Sequence, residues 1–379
     1  MRRWLTAVHR WLGLATALFL LVAGLTGAII AWDHELDAIV APEMYQGSTG
    51  RIRSALDLAD QVEAEHPEVL VTHLPLGVQP GHAVSMFVVP KQGDLPYDQL
   101  AVDPVTGEVR AQRQWGEIAL RRDAMLPFLY KLHYSLHLPG ALGTWVMGLV
   151  AVAWTVDSFV SLYLAFPSSA VWRRSFAFRL RSGFPRALFD LHRSSGVWTW
   201  GLLLLLAITA VSMNLGVQVV RPIIGLVSPL TPDPYAGHTA SGPPRISRAD
   251  AVRLAVLDAR LRGWDAPPGA VYYAPEAGIY GVGFFEPGYD HGDAGLGNPW
   301  LYFDADGAPV GAEIPGAGSA GDLFLAVQFP LHSGRIVGTP GRIAITVLGL
   351  AVSGLSATGV LLWVRKRFRR RGAARDPAR

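Results

Sequence analysis

Four long apolar segments limit what this chain can fold into. They run about from Trp11 to Trp32, Leu142 to Phe166, Val197 to Leu215 and Ile343 to Val364. Roughly 20 mostly apolar residues suffice to cross a bilayer as a helix, whose backbone satisfies its own hydrogen bonds. No Lys, Arg or Glu interrupts any interior, and Asp157 in the second segment is the one acidic exception. A single segment of this kind reads as a buried core helix. Four of them, each flanked by charge, read as a polytopic α-helical membrane protein.

Charge fixes the expected orientation. Arg2, Arg3 and Arg10 lie at the start of the first segment, six arginines from Arg173 to Arg193 fill the link between the second and third, and Arg365 to Arg371 follow the fourth. Asp33, Glu35 and Asp37 lie beyond the far end of the first. Basic clusters mark the cytoplasmic side. Both termini are therefore expected in the cytoplasm and both long loops in the periplasm, with the bacterial inner membrane as the location. No small-x-small cleavage site precedes Asp33, so the first segment reads as a retained anchor. Topology and the lipid bilayer account for the net charge of +3, and no nucleic-acid partner is expected. The chain has no cysteine. That excludes disulfides, thiolate-held iron–sulfur clusters and covalently attached c-type haem.

The chain also reads as though written twice. Each half has His-Arg at the inner face, an apolar span, an outer segment, Leu-His at the outer face, a second span and a basic tail. His9 begins the first copy and His192 the second; His133 and His332 stand at matching places further on. The boundaries read as 1–33 for the first span, 34–125 for a first outer domain and 126–166 for a rim segment with the second span. A basic loop at 167–190, the third span at 191–215, a second outer domain at 216–328, a rim segment with the fourth span at 329–364 and a basic tail at 365–379 complete the chain. In each outer domain a helix with a serine at its N-cap, Ser54 or Ser247, precedes alternating strands. Asp103 to Gly107 and Asp304 to Gly307 read as hairpin turns. The expected fold is thus a four-helix transmembrane bundle built from a duplicated two-helix unit, carrying two small periplasmic α+β domains. Duplication with parallel topology places His9 opposite His192 at one face and His332 opposite His133 at the other.

The His-Arg-x-x-Gly starts at His9 and His192, the run Val102-Asp-Pro-Val-Thr-Gly-Glu-Val109 and the Leu-His-x-x-Leu at Leu132 resemble the PepSY-associated transmembrane proteins. Within that family the chain looks most like inner-membrane siderophore reductases of the FoxB type. The resemblance implies PepSY-like outer domains, four helices, two b-type haems and electron delivery to ferric siderophores in the periplasm. In the second outer domain Phe303-Asp-Ala-Asp-Gly307 departs from the first domain's pattern.

Ionisable residues at the rim of membrane helices usually serve function, and facing histidines form an axial clamp for haem. His9, His192, His133, His137 and His332 are the candidate iron ligands. Gly13 and Gly196, each one turn after a histidine, would let a macrocycle lie close, and Arg10 and Arg193 would reach its propionates. His137 lies one turn from His133. Alignment of the copies selects His133, and proximity to the second span selects His137; the sequence leaves both open. His34, His66, His73, His82, His238 and His291 show no metal-ligand spacing and read as solvated. Asp157 reads as pairing with a polar group or as serving proton movement, and the glycines Gly24, Gly27, Gly349, Gly354 and Gly359 as close-packing positions. No glycine-rich fingerprint opens a helix after a strand, so no flavin or nicotinamide site is visible. Electrons are expected from quinol or a cytoplasmic reductase, with a ferric siderophore or other ferric chelate as acceptor. The competing reading is a membrane-anchored PepSY binding or regulatory protein without redox activity; a permease ranks last.

Overall fold

The computed structural model describes residues 1–290 and 294–375, with side chains through residue 369. His291 lies outside the described residues. The chain divides into two compact units: a helical unit (residues 1–32, 129–223 and 328–379) and a sheet unit (residues 33–128 and 224–327).

Four helices of the first unit are long and apolar enough to cross a membrane: Arg2–Ile30, Leu142–Ala165, Phe184–Asn214 and Thr339–Arg369. Less than a third of each apolar window is buried within the protein. Leu18, Leu149, Phe159, Leu202 and Leu350 stand exposed along them, as side chains facing hydrocarbon do. The chain is a multi-pass membrane protein. Trp4 projects near the start of the first span, where amphipathic rings anchor at the lipid–water boundary.

The spans start earlier than hydropathy places them. The third begins at Phe184, not at 191, and the first at Arg2. Pro185 pre-sets the first turn of the third span. Five residues on, the fully buried Asp190 receives two bonds of 2.7 Å from Arg179 and one of 3.2 Å from Arg193, so the helix extends into an arginine-rich stretch that hydropathy rejects. The link between the second and third spans is correspondingly short and carries the helical turn Ser169–Phe176. His133 and His332 do not extend their spans. Each sits on its own helix, Arg122–Ser135 and Gln328–Ser333.

The first and fourth spans approach closely at paired glycines. A Cβ on Gly24 would lie 2.5 Å from the Gly349 carbonyl oxygen, and one on Gly349 would lie 2.5 Å from that of Gly24. Small residues permit such contact, and Ser353 adds a 3.2 Å hydrogen bond to the Leu21 carbonyl.

In the second unit, eight antiparallel strands form one sheet in the order β4-β3-β2-β1-β5-β6-β7-β8. They are β1 (Val69–Pro75), β2 (Val84–Pro90), β3 (Gln99–Val102), β4 (Val109–Arg113), β5 (Pro268–Ala274), β6 (Ile279–Phe284), β7 (Trp300–Asp304) and β8 (Pro309–Glu313). The two outer segments were expected as separate domains; instead β1 pairs with β5 through His73–Tyr272, Leu74–Val271 and Pro75–Ala270. One core runs through both halves, from Leu58, Val62 and Val71 to Ala255, Val271, Val282 and Leu301. Each four-strand half alone would leave an inner edge unpaired, and joining them removes it. The helices Ala55–Glu65 and Arg248–Leu261 flank this core, and Arg248 binds Glu63 across them. Ser247 caps its helix as expected, in a capping box with Asp250, whereas Ser54 occupies its N-cap position without a side-chain bond.

Both expected turns are present. Asp103 accepts the amides of Ser48, Val105 and Thr106 and is paired with Arg110, and Asp304 accepts those of Asp306 and Ala308. Burial works to raise the Asp103 pKa, but those amides and Arg110 outweigh it and hold the carboxyl well below its ordinary value.

Two outcomes follow. Gly24→Val should lower the stability of the detergent-solubilised protein by about 1–3 kcal/mol through overpacking, whereas Gly201→Ala, with nothing within 4 Å of its Cβ, should be neutral or slightly stabilising; thermal unfolding compares them. Asp103→Asn should cost about 1–3 kcal/mol near neutral pH. A depressed folded-state pKa contributes stability above the unfolded value of about 4 and loses it as pH falls further. The gap between wild type and variant should therefore close below about pH 4 in unfolding titrations.

Candidate functional site

Within the helical unit the histidines meet in two pairs. The His9 and His192 ring centres are 6.3 Å apart with planes at 48°, and those of His133 and His332 are 6.3 Å apart with planes at 57°. Matching the two copies thus selects the residue that His332 meets: it is His133. His137 sits in the turn after the His133 helix with a positive φ of 56°.

All four rings use Nδ1 in the same way. His192 Nδ1 lies 3.1 Å from the Leu355 carbonyl and 3.0 Å from Thr358 Oγ1. A carbonyl only accepts, so Nδ1 carries the hydrogen. His133 Nδ1 is 3.0 Å from Thr26 Oγ1, and His332 Nδ1 is 2.9 Å from Thr209 Oγ1. Each threonine hydroxyl already donates to its own helix, Thr26 to Val22 at 2.8 Å and Thr209 to Leu205 at 2.9 Å. Its oxygen must therefore accept from the imidazole. His9 Nδ1 lies 2.9 Å from both carboxylate oxygens of Asp157, which likewise accept. This network assigns a hydrogen to Nδ1 in all four rings, which makes Nε2 the nitrogen that could face a metal.

Glycines make room for two of the rings. A Cβ at Gly27 would come 2.9 Å from His133 Cε1, and one at Gly359 would come 3.2 Å from His192 Cε1. These two positions, which the sequence pattern assigns to helix–helix packing, instead make room for the histidines. Gly13 has nothing within 4 Å of its Cβ position, and Gly196 has only Leu355 at 3.6 Å, so space lies open one turn beyond each His-Arg start.

The arrangement fits a metal held axially. Two imidazole nitrogens bonded to opposite sides of one metal at about 2 Å each put the ring centres about 6 Å apart. Among the described residues no three of His, Cys, Asp and Glu gather in a metal-ligating group. A pair fills only two coordination positions, and a porphyrin supplies the other four. The residues present therefore suit haem iron better than a tetrahedral zinc site.

Asp157 pairs with a polar group on a neighbouring helix, as expected. Its partner is His9, a contact between the first and second spans that no local pattern encodes. The arginines separate. Arg10 is exposed, stacked over Trp11 at 5.0 Å. Arg193 is engaged with Asp190 and lines a cavity of about 510 Å³ with Arg174, Arg179 and Arg186; its buried Nε has no hydrogen-bond partner. Of the remaining histidines, His34 and His82 are exposed in the sheet unit and His66 is partly exposed, but His73 is half-buried in β1 against Phe87, correcting its reading as solvated. Met86 is core, and Met125 and Met213 are exposed.

The family described as PepSY-associated TM region matches residues 6–366 of the chain. No curated protein matches it.

Proposed function

The chain belongs to the family of PepSY-associated transmembrane proteins, and from that premise we propose that it is a di-haem membrane oxidoreductase that carries electrons across the bilayer to a ferric chelate. The observation that carries this reading is the pair of 6.3 Å histidine contacts, each ring donating from Nδ1 to an acceptor behind it. His9 with His192 would hold one b-type haem and His133 with His332 the other. A haem held there by both histidines would supply reversible one-electron transfer and would leave no ligand position for dioxygen.

The chain's own residues do the rest. Asp157, Thr26, Thr209 and Thr358 fix each imidazole's tautomer and heading, as groups behind metal ligands do. Thr26 stands 17 positions after His9 on one helix, which separates the two levels by about 25 Å along its axis. Two sites at those levels divide a hydrocarbon layer about 30 Å thick into shorter hops. The apolar spans keep water from the path. Arg174, Arg186 and Arg193 offer guanidinium donors to an anionic group such as a propionate.

The arginine clusters support placing the His9–His192 level at the cytoplasmic face of the inner membrane, with both termini inside and the sheet unit in the periplasm. Thr209 follows His192 by the same 17 positions, and the strand order is palindromic about β1 and β5; both support origin by duplication. Quinol or a cytoplasmic reductase would supply electrons. The choice of ferric siderophores as acceptor rests on family resemblance; reduction to Fe(II) weakens hard-oxygen chelation and frees the metal. A regulatory membrane anchor leaves four oriented imidazoles without a task.

Purified protein should show a Soret band and, after dithionite, a sharp α-band, with two haems per chain. His9→Ala and His332→Ala should each remove about one haem, and different ones, while His137→Ala should retain both. Folded protein without a Soret band would overturn the reading. Adding a ferric siderophore to the reduced protein without air should restore the oxidised spectrum, and failure to do so would remove that acceptor class.

A further inference from the structure

We infer that the two histidine pairs hold their metals at unequal reduction potentials, the His9–His192 site being the lower, and that Asp157 sets the difference. The inference rests on the di-haem reading above and concerns which way an electron runs between the sites.

The two pairs match in almost every respect. Ring separations are equal, and each of the four rings donates from Nδ1 to an acceptor on a neighbouring span. The acceptors differ in charge. Thr26, Thr209, Thr358 and the Leu355 carbonyl are neutral. Asp157 alone brings a carboxylate, with both oxygens 2.9 Å from His9 Nδ1. Its side chain is 13% exposed, and among the described residues no lysine or arginine forms an ion pair with it. The charge is therefore directed at one imidazole and weakly screened.

A carboxylate behind a ligating histidine raises the basicity of the ligand nitrogen. A more basic ligand, together with the added negative charge, stabilises Fe(III) over Fe(II) and lowers the potential. Neutral hydroxyls at the other pair do this to a smaller degree. With one electron shared between the sites, ferrous becomes ferric at His9–His192 as ferric becomes ferrous at His133–His332; no bond breaks and no proton moves. On the proposed topology this runs from the cytoplasmic level to the periplasmic level. Asp157 is a positioning and tuning residue, since it acts through His9 and touches no metal.

The test is a redox titration of the α-bands in wild type, His332→Ala and Asp157→Asn, with haem content measured alongside. Wild type should show two steps. His332→Ala should lose the higher one, and Asp157→Asn, which keeps an acceptor but removes the charge, should raise the lower one alone. The expected change is tenfold or more in the equilibrium between sites, which is about 59 mV for a one-electron couple. Coincident steps in wild type, loss of the lower step in His332→Ala, or an Asp157→Asn protein with both haems and unmoved steps would each overturn the inference while leaving the di-haem reading intact. Should Asp157→Asn fail to retain haem, the wild-type and His332→Ala titrations decide it. Absence of haem from wild type would instead remove the parent reading.

Discussion

An imidazole inside a membrane bundle has to dispose of one N–H where no water can accept it, and the helical unit is organised around that requirement. An unsatisfied polar group in hydrocarbon costs several kcal/mol. Each of the four histidines therefore needs an acceptor on a neighbouring helix, and each acceptor must itself be unable to turn away. The threonines meet this by donating their hydroxyl hydrogens to their own helices, which locks the oxygen as an acceptor. Interhelical contacts then follow: the first span to the His133 helix through Thr26, the third to the His332 helix through Thr209, the third to the fourth through His192 and Thr358, and the first to the second through His9 and Asp157. The glycines at 27 and 359 sit beside the rings because a side chain there would displace them.

How much of this could be read from sequence depended on the range of the interaction. The spans were legible because hydropathy is local and the bilayer imposes a minimum length. The ring partners were legible because matched copies with parallel topology bring matched residues together. That logic also separates His133 from His137, which proximity to the second span alone favoured. Span ends were less legible: the third span's first turns hold arginines and a buried aspartate whose charges cancel only in three dimensions. Asp157 was visible as an anomaly, but its partner lies 148 residues away and no periodicity points to it.

The sheet unit shows the same limit. Strand alternation, the Ser247 cap and both aspartate turns are local signals, and each appears where the pattern put it. The pairing of β1 with β5 joins residues about 200 positions apart and has no local signature. Its physical reason is plain once seen. A half of four strands and one helix buries one face and leaves an edge open, and the matching edge of the other half closes it. His73, expected in solvent, is half-buried because it falls on that join, opposite Tyr272.

Near-symmetry with a single charged departure carries more information than symmetry alone. If the two histidine pairs served only to tie helices together, either kind of acceptor would suffice at every position, and the neutral one is cheaper to bury. A carboxylate in a membrane span is retained against that cost at one of four equivalent tasks. The threonine arrangement shows that the task can be done without it. What the carboxylate adds is charge at one level of the bundle and not at the other, and a difference between levels is what a directional conduit requires and a structural anchor does not.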